Sequence, residues 1–151
     1  MKKILLLFAL CLMLVACGKK DEPIVLDFSN ETVGDVDPQG LKPILGEIMS
    51  IKQNGSTVVV KIKITESWNN KMTVNQNYDI VQDLIQKHGF NTCHELQYWA
   101  VMDVGMEIKV ISFTLDKATI DGIYADKLFG EQIGPFTKDL WIAPALTKNT
   151  D

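Results

Sequence analysis

Apolar and polar positions alternate most cleanly between Thr57 and Thr65. Val58, Val60, Ile62 and Ile64 fall on one side of the chain, and Lys61, Lys63 and Thr65 on the other. That period predicts a strand with one buried face and one wet face. A second β-rich run, Ile44 to Lys52, precedes it across Gln53-Asn54-Gly55-Ser56. Asn-Gly between two such runs predicts a hairpin, because both residues tolerate positive φ.

The period then changes. Tyr78, Val81, Leu84, Ile85 and His88 recur at helical spacing, predicting a helix over Val74 to His88 that presents one apolar face. Thr73 and Gln76 have the spacing of a capping box at its start, and Gly89 supplies a left-handed stop. Two further strands are expected at Glu95 to Asp103 and Glu107 to Leu115, joined through Val104-Gly105-Met106. Asp116 can cap a second helix that buries Ile120, Ile123, Tyr124 and Leu128. Gly122 weakens that helix by about 1 kcal/mol relative to Ala, so it should be short or bent. Leu140-Trp141-Ile142 can form a last short strand before Pro144. The order ββαββα predicts an α+β fold, an antiparallel sheet of four or five strands with two helices on one face.

The first residues follow no such period. Met1-Lys2-Lys3 is a positive start, and Ile4 to Val15 is an uncharged apolar run, shorter than the roughly 20 residues of a membrane span. At Gly18 the chain turns abruptly polar, with Lys19-Lys20-Asp21-Glu22-Pro23. Leu14-Val15-Ala16-Cys17 resembles the lipobox of bacterial lipoproteins. Cys11 fits less well, because Leu10 stands before it and it lies inside the apolar run. The resemblance implies that residues 1–16 are a signal peptide and that Cys17 becomes an acylated N-terminus. Several acyl chains hold a protein far better than one, since each buried methylene contributes about 0.8 kcal/mol. Residues 17–42 are then expected to act as a polar tether, with at most one short strand near Ile24 to Phe28. Residues 43–151 form the single domain.

Composition narrows the function classes. Loss of Lys2 and Lys3 with the leader makes the formal net charge of −4 two units more negative. An acidic surface disfavours nucleic acid and electrostatic adhesion to anionic lipid. The chain has no arginine, the usual fork for phosphate or carboxylate, although an AT-rich bacterial genome would produce the same bias. Apart from the leader and Cys17, Cys93 is the one remaining thiol, so the domain must be held by packing and not by an internal disulfide.

Candidate chemistry is sparse. His88, Cys93 and His94 are metal-ligand types, but the spacing supplies too few ligands for a zinc site, and a core Cys with polar loop histidines explains them. As neighbours on a strand Cys93 and His94 would point oppositely, which disfavours a nucleophile pair. Asp79 and Asp83, four apart, read as a solvated helix surface. The chain carries no phosphate loop, nucleophile elbow or zinc-protease motif, and Asp116 to Asp126 lacks EF-hand spacing. No catalytic or metal residue is therefore assigned, and no cofactor beyond the lipid on Cys17.

Aromatics are the more informative set. Trp68 lies in a polar loop, Trp99 neighbours Tyr98 on a strand, and Trp141 stands near the C-terminus. Exposed, they would anchor a partner; the competing expectation is that all three fill the core. Tyr98 and Trp99 must face opposite sides of a strand, so at least one should reach the surface. The expected function is a lipid-anchored, non-catalytic domain on the extracytoplasmic side of a bacterial membrane, binding a partner protein or envelope polymer. The outer membrane is open to it in a two-membrane cell. A small envelope hydrolase using Glu95, Asp103 or Glu107 is the alternative, and it requires two carboxylates in a cleft about 5–9 Å apart.

Overall fold

A computed structural model describes residues 22–148. Residues 1–16, expected to be a signal peptide, and Cys17 lie outside the described residues. Strands β1 (Thr32–Val36), β2 (Glu47–Gly55) and β3 (Thr57–Lys63) precede helix α1 (Asn70–Lys87). A 3-10 turn at Phe90–Thr92 leads into β4 (Glu95–Asp103) and β5 (Glu107–Asp116). Helix α2 (Lys117–Tyr124), a 3-10 segment (Gly130–Phe136), β6 (Lys138–Ile142) and a single turn, α3 (Pro144–Thr147), complete the chain. The class is α+β. All six strands join one sheet in sequence order, β1-β2-β3-β4-β5-β6.

The sheet departs from the expectation in two ways. It is mixed, because β3 pairs with β4 in parallel, Thr57 opposite Glu95 and Lys63 opposite Val101. The other neighbours are antiparallel. The reason is α1: it carries the chain back along the sheet, so β4 starts at the end where β3 started. The sheet also has six strands, since β1 and β6 add an edge on either side. β1 comes from the stretch expected to be tether, and Leu26, Phe28 and Leu41 from that stretch enter the core. The packed chain thus reaches well before residue 43.

The alternation of β3 is realised: Val58, Val60 and Ile62 are buried, followed by Ile64. Leu96, Tyr98 and Ala100 of β4 and Ile111, Phe113 and Leu115 of β5 share their core. Ile80, Val81, Leu84 and Ile85 of α1 and Ile120 and Ile123 of α2 enter the same cluster. The hairpin reverses one residue later than the Asn-Gly pair suggests. Asn54 still pairs with Thr57, and Gly55 takes the left-handed conformation at φ 64°.

Helix α1 starts a turn earlier than expected. Asn69 is its cap, accepting from the Met72 amide at 2.9 Å. Thr73 and Gln76 do not form a capping box. The Thr73 hydroxyl binds the Ser67 amide and the Asn69 carbonyl, and the Gln76 amide donates to Thr65, so both brace the incoming loop. Gly89 does stop the helix with φ 85°, and a Cβ there would lie 1.7 Å from the Leu26 carbonyl oxygen. Asp116 caps α2 as expected, through the Thr119 amide. That helix is short, with Tyr124 exposed at its end.

One polar pair lies inside the core. The Tyr98 hydroxyl donates to Asn77 Oδ1 at 2.9 Å, while Asn77 Nδ2 donates to the Thr73 carbonyl at 2.7 Å. Both residues are fully buried, and Tyr98 stacks on Phe113 with ring centroids 4.9 Å apart. Among the described residues no helix is long and apolar enough to cross a membrane. Tyr98→Phe leaves Asn77 Oδ1 without its donor and should cost about 1–3 kcal/mol in urea unfolding. Adding Asn77→Leu should recover part of that loss, since the orphaned group is then gone.

Candidate functional site

Both helices cover one face of the sheet, and the strand period puts the remaining side chains on the other. Glu95, Gln97 and Trp99 of β4 alternate with its core residues, and Trp99 pairs with Ser112 of β5, which pairs in turn with Trp141 of β6. Two tryptophans therefore stand on this open face with a small residue between them. Trp99 is 43% exposed and Trp141 40%. Lys109 lies over both indoles, its Nζ 5.4 Å from the Trp99 ring centre and 4.4 Å from that of Trp141. Cation–π contacts of this kind contribute about 0.5–1 kcal/mol at exposed sites.

Most of the surrounding charges are paired, Glu95 being held only by the Gln97 amide. Lys61 meets Glu107, Lys63 meets Asp103 at 3.2 Å, Lys52 meets Asp35 at 3.7 Å and Lys138 meets Asp116 at 2.8 Å. Lys109, among the described residues, has the two indoles and no carboxylate. The face thus combines a cation, two rigid amphipathic rings and a rim of mostly paired charge. Such rings bury much area at little entropic cost, and neutral ion pairs around them limit repulsion of a ligand.

Trp68 is 94% exposed in the loop before α1 and does not join this pair. The expectation that all three tryptophans fill the core is therefore overturned. Tyr98 takes the buried position, and the strand period sends Trp99 outwards. Lys109 is the residue that sequence reasoning missed. Its signal was present in Glu107-Ile108-Lys109, but a bulge at Ala100/Val101 sets the register that brings it to the indoles.

The other candidates fall elsewhere. Cys93 is buried, its thiol donates to the Phe90 carbonyl, and burial pushes its pKa up to about 12, so it is no nucleophile. His94 is exposed beside it. His88 is buried at the end of α1, with Nδ1 2.8 Å from the Ile24 carbonyl oxygen and Nε2 3.5 Å from Asp83. Asp83 is not the solvated helix residue it was expected to be. It is buried, accepting from the Ile44 amide at 2.8 Å and from Lys87 at 2.7 Å. Asp79 remains exposed. Among the described residues no group of three metal-ligand side chains converges.

Glu95, Asp103 and Glu107, the carboxylates of the hydrolase alternative, all lie on the open face. The Lys63 ammonium holds the Asp103 carboxyl below the usual range. The Lys138 ammonium, helped by the Thr119 amide and hydroxyl, holds Asp116 down to about 2. A general acid needs the opposite displacement. No family model matches the chain, and neither does any curated protein or solved structure.

The Asp116–Lys138 pair links the end of β5 to the start of β6, the strand that carries Trp141. A carboxyl depressed from 3.8 to about 2 contributes stability that is full above the ordinary value and lost as pH falls through the lower one. Asp116→Asn should flatten the fall in the urea midpoint below about pH 4. Trp141 fluorescence should report loosening of β6 in that variant at neutral pH.

Proposed function

We propose that this chain is a lipid-anchored, non-catalytic binding domain on the extracytoplasmic side of a bacterial membrane. The observation that carries the reading is the half-exposed pair Trp99 and Trp141, bracketing Lys109 on a sheet face that none of the described helices covers. Tryptophan side chains of this kind are among the usual anchors of an interface. Their occupant is a partner protein or an envelope polymer. The leader ending in Leu14-Val15-Ala16-Cys17 supports the anchoring half of the reading, with Cys17 as the acylated residue. Catalysis gains no support from the acids whose ionisation is displaced, since they are held charged.

Crosslinking in the native cells, with mass spectrometry of the captured material, tests the binding half. Trp99→Ala with Trp141→Ala should lose the captured species, while Trp68→Ala keeps it. Loss of two such anchors should weaken binding at least about tenfold, or 1.4 kcal/mol. Capture that survives the double substitution, in a protein with wild-type circular dichroism, overturns the assignment of this face. For the anchor, Cys17→Ala should release the protein from the membrane fraction. A variant retained to the same extent sinks it.

A further inference from the structure

The chain just after the anchor position is clamped to the domain. The Leu26 amide donates to the His88 carbonyl at 3.0 Å, and the Phe28 amide to the Thr92 hydroxyl at 2.8 Å. His88 Nδ1 holds the Ile24 carbonyl, and Gln53 donates to the carbonyls of Phe28 and Asn30 at 3.1 and 2.7 Å. Gly89 lets Leu26 lie directly on the end of α1, where any Cβ would collide with it. Ile24 is therefore a fixed point of the domain.

Seven peptide steps separate Ile24 from Cys17. Fully extended they span about 24 Å. A domain of this size has a radius of gyration of about 14 Å and a diameter well above that reach. A leash shorter than the domain's width cannot let the end remote from Ile24 touch the bilayer that holds Cys17.

The surface around Ile24 exposes apolar side chains among charged ones. A cavity of about 670 Å³ opens there, where Pro23, Ile24 and Ile44 stand beside the charged Glu22, Lys42 and Lys87. It continues into a second one of about 280 Å³ past Leu45, Asp79 and Lys87. Val25 is 66% exposed, Ile44 58% and Leu45 44%. We propose that this groove beside the C-terminal end of α1 is the face that rests on the lipid surface carrying the anchor. The inference depends on acylation of Cys17 and adds an orientation to it. Its driving forces are the short leash and burial of Val25, Ile44 and Leu45; the acidic net charge leaves little to electrostatic attraction.

The acylated full-length protein, reconstituted in phosphatidylethanolamine–phosphatidylglycerol vesicles doped with a nitroxide lipid, provides the test. Ile44→Cys and Leu45→Cys, each labelled with bimane, should be quenched several-fold more strongly than Met106→Cys at the β4–β5 turn. Cys93 is buried and takes no label. Hydrogen exchange of the unsubstituted protein, in which vesicles should slow the amides of 42–46, guards against any effect of the label. A vesicle-bound, acylated protein with equal quenching at all three positions and no added protection overturns the orientation and leaves the anchor standing. A mature N-terminal peptide without acyl chains overturns both.

Discussion

Everything in this fold depends on α1 lying across one face of the sheet. Its buried residues Ile80, Val81, Leu84 and Ile85 meet the inward side chains of β3, β4 and β5 in one cluster. That packing returns the chain to the end of the sheet where β3 began, which makes the β3–β4 pair parallel. It also decides where the apolar side chains of each strand must go. A single layer of helices satisfies one face, so the second face has to be stable in water on its own. The ion pairs Lys61–Glu107, Lys63–Asp103 and Lys138–Asp116 are the surface this requirement produces. Individually such exposed pairs contribute little to stability, about 0–1 kcal/mol each. Their consequence is that Lys109 is the cation left to the two indoles among the described residues of this face.

Local pattern was legible wherever a strand or helix has one buried side. The alternation from Val58 to Ile64, the period from Tyr78 to Ile85, the stop at Gly89 and the Asp116 cap all followed from it. β1 was not legible because Thr32–Val36 is mostly exposed and lacks the alternation of a core strand. Parallel pairing was not legible either, since side-chain period is the same in both ladder types. The capping box at Thr73 and Gln76 failed because Asn69 competes for the helix start. A first turn can be extended by any good cap lying upstream of an acceptable one. Asp83 failed for another reason: the segment through Ile44 comes from 39 residues earlier and covers it.

The candidate site divides the same way. Opposite facing of Tyr98 and Trp99 follows from the strand period alone, and it placed one tryptophan outside the core. That Trp141 comes to the same face depends on β6 adding beside β5. That Lys109 comes between them depends on a bulge in the β4–β5 ladder. Neither is encoded within a window of a few residues. Trp68, conspicuous in the sequence for its polar surroundings, is the most exposed tryptophan and stands apart from the other two.

The clamp at the end of α1 and the tryptophan face lie on opposite sides of the sheet. Ile24, Ile44, Asp83 and Lys87 belong to the helical side, whereas Trp99, Lys109 and Trp141 belong to the open one. On the proposed orientation, a domain leashed at Ile24 with its helical side towards the bilayer would hold the indoles away from the lipid. The separation matters because tryptophan partitions readily into membrane interfaces. Were both on one side, the lipid headgroups would compete with any partner for the same rings. A one-sided helical layer thus buries the core and, on the proposed orientation, would keep the lipid-facing side apart from the indoles.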